Sequence, residues 1–119
     1  MAKNSSSAHA ATLNFGIIGN CKSAALINED SSIDWCCLPQ FDSPSVFGKI
    51  IDENIGGHFK IECDDDYVIT QTYIKNTAIL CTRFESDAHA FEVLDFMPRF
   101  QKDNGSYHAP PELTRVFRH

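Results

Sequence analysis

The stretch SSIDWCCLPQFDSPSVFG, residues 31–48, carries the strongest fold signals in this chain of 119 residues. Its first half, SIDWCCL, has the short apolar and aromatic character that is typical of a β-strand. Strand alternation places Asp34 and Cys36 on one face and Trp35 and Cys37 on the other. Because tryptophan is highly buried on average, we predict that Trp35 lies in the core or between two sheets.

The second half of the stretch has the features of a short helix. Ser43 can act as the N-cap, and Pro44 occupies the first helical position, where proline is tolerated. Apolar residues then recur at helical spacing, at Val46, Phe47, Ile50 and Ile51. We therefore predict a helix of about two turns over residues 43–53, ended by the paired glycines that follow.

The rest of the chain alternates short apolar runs with turn residues, which predicts an all-β protein. The runs are FGIIG, SAALI, SIDWCCL, HFKIEC, YVITQTYI, TAILCTRFE, HAFEVLDFM and LTRVFRH. The short linkers NEDS and SDA each predict an antiparallel hairpin. We expect one antiparallel β domain over residues 13–119, preceded by a flexible polar N-terminus over residues 1–12.

The composition excludes several classes of function. The net charge of −6 and the isoelectric point near 5.2 argue against binding to nucleic acid or anionic membranes, because that affinity comes largely from Lys and Arg. No apolar run approaches the roughly 20 residues that span a bilayer, and no secretory signal is recognisable, so we expect a soluble, cytoplasmic protein. The cysteines and histidines lack metal-ligand spacing, so no metal or cofactor is predicted. Reduced, buried thiols are the expected state of the cysteines, with disulfide pairing as the alternative.

Two aspartates, Asp34 and Asp42, flank the middle of the opening stretch, and paired carboxylates are the groups that hydrolyse glycosides. The spacing alone does not identify a site, since an Asp before Ser-Pro is also a common turn residue. No nucleophile elbow or phosphate-binding loop is present, so the residues give no complete active site. A free-standing carbohydrate-binding module is an alternative, with Tyr67, Tyr73 and Phe91 as aromatic residues for stacking on sugars.

The order of the motifs resembles a known family. Residues 15–61, FGIIGNCKSAALINEDSSIDWCCLPQFDSPSVFGKIIDENIGGHFKI, are similar to the start of the glucoamylase-like and trehalase-like enzymes of glycoside hydrolase family 15. Two later segments resemble the same family. FEVLDFMPR is similar to its aspartate-phenylalanine-methionine-proline strand end, and LTRVFRH is similar to its next arginine-rich strand.

The resemblance implies an N-terminal β-sandwich of the supersandwich type, followed in those enzymes by a linker helix and an (α/α)6 barrel that holds the catalytic glutamates. Such enzymes invert, with one carboxylic acid protonating the glycosidic oxygen and one carboxylate activating water. By the family pattern, this chain ends before the barrel begins and before the sandwich is complete. We therefore expect a truncated, non-catalytic domain without hydrolase activity of its own. Its expected partners are the barrel of the parent enzyme and an α-glucan or trehalose.

The resemblance also supplies candidate residues near substrate. The loop PQFDSPS is expected to face the barrel and to help form the wall of its substrate pocket. The substrate-proximal candidates are Trp35, Gln40, Phe41 and Asp42. Four residues stand where the family usually has Asp, Arg, Gly and Arg, namely Asn20, Lys22, Ser31 and Gln40. The loss of the Arg at position 40 removes a bidentate charged group, which weakens any site assignment based on the family pattern.

The last predicted strand suggests a route to self-association. A sheet that stops within the family pattern leaves an exposed edge, and such an edge recruits another chain. We predict self-association through an edge strand near residues 67–74 or 113–119. The alternative is a disordered tail beyond Arg99, because QKDNGSYHAPPE is loop-like. Alternation in LTRVFRH places Leu113, Arg115 and Phe117 on one face and Thr114, Val116 and Arg118 on the other.

Overall fold

The computed structural model describes residues 14–63 and 66–119, so the predicted flexible N-terminus lies outside the described residues. All the regular elements among the described residues are β-strands, as the alternating runs predict. They are β1 (Phe15–Gly19), β2 (Ala24–Asn28), β3 (Ile33–Cys37), β4 (Ser45–Phe47), β5 (Val68–Tyr73), β6 (Leu80–Glu85), β7 (Ala90–Phe96), β8 (Phe100–Gln101), β9 (Tyr107–His108) and β10 (Thr114–Arg118).

The strands form two four-stranded antiparallel sheets and one small hairpin. The first sheet has the order β1-β2-β3-β4, and the second has the order β10-β7-β6-β5. The hairpin joins β8 to β9 within the connection from β7 to β10. Both predicted hairpins are confirmed, since β2 pairs with β3 and β6 pairs with β7 in antiparallel register. The run HFKIEC forms no strand and contributes a single bridge, between Phe59 and Ile33.

The two sheets enclose a common apolar core, which confirms the antiparallel, sandwich-like fold. The buried core cluster comprises Ile18, Ala25, Ile27, Ile33, Cys36, Leu80 and Met97. Polar contacts also connect the sheets. The hydroxyl of Tyr73 accepts a hydrogen bond from the amide of Ile17 at 2.9 Å and donates one to the carbonyl of the same residue at 2.8 Å. The side-chain amide of Gln71 donates to the backbone carbonyl of Asn28 at 3.0 Å.

The core position predicted for Trp35 is wrong. Trp35 is half-buried and lies outside the core cluster, whereas Ile33 and Cys36 belong to it. The reason is a β-bulge in β3. The pairing passes from Leu26 with Trp35 to Ile27 with Ile33, so Asp34 is an extra residue in the strand. The bulge lets Ile33 and Cys36 both contribute to the core although they are three residues apart.

The predicted helix over residues 43–53 is also wrong, because the described residues contain no helix. Ser45–Phe47 instead forms β4, which pairs with β3. The amide of Gly48 then donates to the carbonyl of Gly56 at 2.7 Å and closes a loop. A helix of two turns makes few backbone hydrogen bonds and is marginal alone. Pairing with β3 satisfies the backbone of this segment better than such a helix does.

The sheet edges lie where the sequence predicts them. The segments predicted as edges, 67–74 and 113–119, contain β5 and β10, and these are the outer strands of the second sheet. β10 pairs with β7 along all five of its residues, which contradicts the alternative of a disordered tail beyond Arg99. Self-association through either edge stays a prediction.

Candidate functional site

Three connecting segments meet at one end of the sandwich. The amide of Phe41 donates to the carbonyl of Lys22 at 3.0 Å, and the hydroxyl of Ser23 donates to the carbonyl of Cys37. The side-chain amide of Asn20 donates to the carbonyl of Pro110 at 3.2 Å. We call this region the loop end and define it as residues 20–23, 38–44 and 109–111.

Asn20 organises the loop end from a buried position. Its side-chain oxygen accepts hydrogen bonds from the amides of Lys22 and Ser23, both at 2.9 Å. Its side-chain nitrogen makes the bond to Pro110. A carboxylate could accept the first two hydrogen bonds but has no proton to donate to a carbonyl. The amide group of Asn20 therefore provides a direct link between the β1–β2 turn and the segment that precedes β10, which an Asp could not make.

The candidate substrate-proximal residues fall into two places. Gln40, Phe41 and Asp42 are exposed neighbours in the loop end, and Phe41 exposes 56% of its surface. The loop is held in shape because the amide of Gln40 donates to the hydroxyl of Ser43 at 3.1 Å. Trp35 lies in the body of β3 and is half-buried. The structure thus brings three of the four candidates together at the surface and places the fourth on a strand.

The two aspartates considered as a catalytic pair have different environments. Asp34 is buried near the start of β3, where its carboxylate accepts a hydrogen bond from the hydroxyl of Ser32 at 2.5 Å. The side-chain amide of Asn28 donates to its other oxygen at 3.3 Å. Asp42 is exposed in the loop beyond the opposite end of β3. Asp34 thus serves the local structure of the bulge and does not share a site with Asp42.

Between the sheets lies a buried ion pair that the sequence analysis missed. The guanidinium of Arg115 donates to the carboxylate of Asp95 from Nε at 2.6 Å and from Nη2 at 3.0 Å. The exposed fractions of the two side chains are 4% and 0%. Asp95 within FEVLDFM and Arg115 within LTRVFRH were visible as charged residues on predicted strands. Their pairing depends on the register of β7 with β10, for which no local pattern gives a signal.

Arg115 also joins the second sheet to the turn between β2 and β3. Its Nη2 group donates to the carbonyl and, at 2.7 Å, to the hydroxyl of Ser31. Its Nη1 group donates to the carbonyl of Phe59 at 3.2 Å, and its guanidinium carbon lies 4.8 Å from the centre of that ring. Ser31 has a positive φ of 70°, a conformation that favours glycine. A glycine at position 31 would adopt this conformation without strain.

The outer face of the second sheet carries a charged cluster of a different kind. Glu92 lies between Arg118, at 2.6 Å, and Arg83, at 3.4 Å. The hydrogen bond from Arg118 is the main cause that holds the pKa of Glu92 below its usual value.

Burial raises the pKa of the thiols of Cys36 and Cys81, so both stay protonated near neutral pH. These cysteines are therefore structural thiols and not activated nucleophiles.

The aromatic residues proposed for sugar stacking make contacts within the domain. Phe91 stacks on Phe84 with ring centres 4.7 Å apart, and Tyr67 meets the edge of Phe91 at 5.7 Å. The hydroxyl of Tyr73 bonds to the backbone of β1. An open cleft of about 480 Å³ lies beside Tyr67 and Phe84 and is also lined by Asp30, Lys60, Glu62 and Asp66. Tyr67, Phe84 and Phe91 thus form a packed cluster, while Tyr73 is 46% exposed and is held by its hydroxyl.

Neither a metal-binding cluster nor a membrane-spanning helix is found in the part of the chain that the structure describes. Across residues 14–63 and 66–119, no group of three or more His, Cys, Asp and Glu side chains could hold a metal ion. Over the same part of the chain, no helix is long and apolar enough to cross a membrane.

A family model and several curated relatives indicate one family. The family model described as "Trehalase-like, N-terminal" matches residues 6–117. The trehalase of Thermoplasma volcanium is 41% identical over 103 residues, which cover 84% of this chain and 16% of that protein. Trehalase 1 of Sulfolobus acidocaldarius is 39% identical over 87 residues, which cover 73% of this chain and 15% of that protein.

A third relative, the trehalase of Thermoplasma acidophilum, is 41% identical over 93 residues, which cover 76% of this chain and 16% of that protein. The chain thus spans about one sixth of the length of the relatives that it matches. No solved structure gives a significant match. The family match extends over almost the whole sequence and includes the loop end, the bulge of β3 and the ion pair of Asp95 with Arg115. The chain therefore belongs to the family of trehalase-like N-terminal domains.

Proposed function

We propose that this chain is a non-catalytic N-terminal domain of a trehalase-type glycoside hydrolase and that it packs against a separate catalytic domain. The observation that carries the proposal is the match of residues 6–117 to the trehalase-like N-terminal model. In the matched trehalases the equivalent segment occupies only 15–16% of the length, which leaves the larger part of each protein for catalysis.

The environment of the buried acids supports a non-catalytic role. An inverting hydrolase needs one carboxylic acid and one carboxylate facing each other across the glycosidic bond. Asp95 accepts hydrogen bonds from Nε and Nη2 of Arg115, and Asp34 accepts hydrogen bonds from Ser32 and Asn28. Both carboxylates hold the fold together. In this proposal the acid and base of the reaction come from the catalytic domain, as in the family 15 enzymes that the sequence resembles.

The loop end supports a role next to that catalytic domain. Phe41 is held outward, since its amide is bonded to Lys22 while its side chain stays exposed. Gln40 and Asp42 offer polar groups on either side of it. An exposed aromatic ring between polar neighbours is typical of an interaction surface. We propose that these residues contact the catalytic domain near its substrate entrance, with trehalose or another α-glucoside as the substrate of the whole enzyme.

A chimaeric enzyme tests the proposal. In the trehalase of Thermoplasma volcanium, the matched segment is replaced by residues 6–117 of this chain. We expect the chimaera to hydrolyse trehalose, while the 119-residue chain alone does not. We also expect Phe41→Ala to raise the KM of the chimaera for trehalose, whereas Val68→Ala, at another exposed site on β5, leaves it unchanged.

Two results would count against the proposal. One is a chimaera that is folded by circular dichroism, with the melting profile of a single cooperative enzyme, but has no activity on trehalose or maltose. The other is hydrolysis of either sugar by the isolated chain, which would place catalytic groups within these residues.

A further inference from the structure

The loop that follows β4 exposes large aliphatic side chains. Ile51 and Ile55 expose 77% and 84% of their surfaces, and Ile50 exposes 37%. The helix that the sequence predicts here would have used Ile50 and Ile51 as part of an apolar face. The observed loop instead turns them toward solvent. Single exposed apolar residues are common, but three isoleucines within six positions form a local apolar patch.

Backbone hydrogen bonds hold this loop in one shape. Its ends are joined because Gly48 donates to the carbonyl of Gly56 at 2.7 Å and Lys49 donates to that of Gly57 at 3.0 Å. The two ends of the loop approach so closely that a Cβ atom at Gly56 would overlap the carbonyl oxygen of Gly48. Glycine is therefore required there. The isoleucines are displayed by a fixed scaffold and not by an irregular segment.

Asp52 fixes the tip of the loop. Its carboxylate accepts hydrogen bonds from the amides of Asn54 at 2.9 Å and Ile55 at 3.2 Å, and its carbonyl accepts one from Gly56 at 2.8 Å. The loop is also attached to the first sheet, since the amide of Ile50 donates to the carbonyl of Asp34 at 3.2 Å. The positions of Ile51 and Ile55 are thus set before any partner binds, which lowers the entropic cost of binding.

We propose that Ile51 and Ile55 are anchors that insert into an apolar recess on the catalytic domain. This inference rests on the proposed function and specifies a second contact, separate from the loop end. The size of the patch favours a tethered partner over a free one. A stable contact between free proteins buries about 800 Å² on each partner, which is far more than three isoleucine side chains supply. A partner on the same polypeptide has a high effective concentration, so a small patch is sufficient.

The relatives support the choice of a tethered partner. In the trehalases of Thermoplasma volcanium and Sulfolobus acidocaldarius, the matched segment is 16% and 15% of the protein, so the remaining chain is linked to it. The alternative is that a second copy of this chain covers the isoleucines, and the oligomeric state of the isolated chain distinguishes the two.

Hydroxyl-radical footprinting of the active chimaera tests the contact directly. Oxidation of Ile51 and Ile55 is measured by mass spectrometry in the chimaera and in the isolated chain. Phe100, which is 54% exposed on β8 and lies outside both predicted edge segments, is the internal control. We expect the two isoleucines to be oxidised several-fold more slowly in the chimaera, while the rate at Phe100 stays the same. Equal rates for the isoleucines in both proteins would overturn the inference even if the chimaera hydrolyses trehalose.

A double variant, Ile51→Ser with Ile55→Ser, gives the second measurement. We expect the melting temperature of the chimaera to fall, while that of the isolated chain is unchanged, since both side chains are exposed there. Equal losses in both proteins would show that the isoleucines stabilise the domain itself and would overturn the inference. Dissociation of an isolated-chain dimer by the double variant would identify a second copy as the occupant and would also overturn it. A folded chimaera without hydrolase activity instead contradicts the proposed function.

Discussion

Arg115 and Arg118 lie three residues apart on β10, and each pairs with a carboxylate directly opposite on β7. Arg115 is in register with Asp95, and Arg118 is in register with Glu92. The shortest N–O distance is 2.6 Å in both pairs. The environments differ, however, because the first pair is buried between the sheets and the second lies on the outer face, where the side chain of Arg118 is 56% exposed.

The comparison shows that the distance between two charges does not decide their effect on stability. Water screens the charges of the outer pair, so their attraction is weak. Water can also solvate each charged group when the pair separates. The inner pair is shielded from water, and removal of one partner would leave the other charged group buried without compensation. Arg115 also donates hydrogen bonds to Ser31 and Phe59. Among the described residues, the side chain of Arg118 donates only to Glu92.

The largest effect is expected from Arg115→Ala. It leaves the carboxylate of Asp95 without its cation and removes the hydrogen bonds that join β10 to the β2–β3 turn. We expect a loss of about 3–5 kcal/mol in the free energy of unfolding, measured by urea denaturation. Arg118→Ala is the matched control, three residues along the same strand. Equal midpoints for the two variants would contradict the distinction between the inner and outer pairs.

A smaller effect is expected at Ser31, the residue that Arg115 contacts across the sheets. Ser31→Ala removes the hydroxyl that accepts from the guanidinium and should cost about 1.5 kcal/mol, as for a hydrogen bond to a charged group. Ser31→Gly removes the same hydroxyl but relieves the positive φ of 70°. We therefore expect the glycine variant to be more stable than the alanine variant in urea denaturation.

The reverse order at Ser31 would show that the backbone strain at this position is negligible. Circular dichroism at low temperature provides the control, since both variants are expected to keep the β-sheet spectrum.

The sequence predicted the strands because their signals are local. Runs such as AFEVLDF and TRVFR combine strand-forming residues with flanking turns, and the alternation in the last run correctly separates Arg115 from Arg118. The sequence did not predict that Arg115 meets Asp95. That contact joins residues 20 positions apart across the β8–β9 hairpin and depends on a register that only the folded sheet defines.

The wrong predictions for Trp35 and for residues 43–53 also have physical causes. Strict alternation fails within β3, because the bulge puts Ile33 and Cys36 in the core cluster although they are three residues apart, while Trp35 lies outside that cluster. A one-residue bulge at Asp34 cannot be read from alternation alone. The apolar residues after Pro44 have helical spacing, yet the open edge of β3 recruits Ser45–Phe47 as a strand. Gln40, Phe41 and Asp42 are exposed, whereas their contact with substrate depends on a partner domain and stays a proposal.

The smallest effect on stability is expected from Arg118→Ala, and its main consequence is electrostatic. The hydrogen bond and charge of Arg118 hold the pKa of Glu92 below its ordinary value, so the variant should raise that pKa toward normal, with Arg83 retaining part of the shift. A carboxyl group with a depressed pKa in the folded state stabilises the fold above its unfolded pKa of about 4.3, and that contribution is lost as the pH falls through the folded value. Part of the acid-induced loss of stability should therefore disappear in the variant. NMR titration of the Glu92 carboxyl carbon at low and high salt measures the change, and the difference from the native protein should shrink with salt. If the pKa of Glu92 does not change in Arg118→Ala, the charge of Arg118 has no effect on Glu92. The difference in stabilisation between the inner and outer pairs would then be larger than we infer.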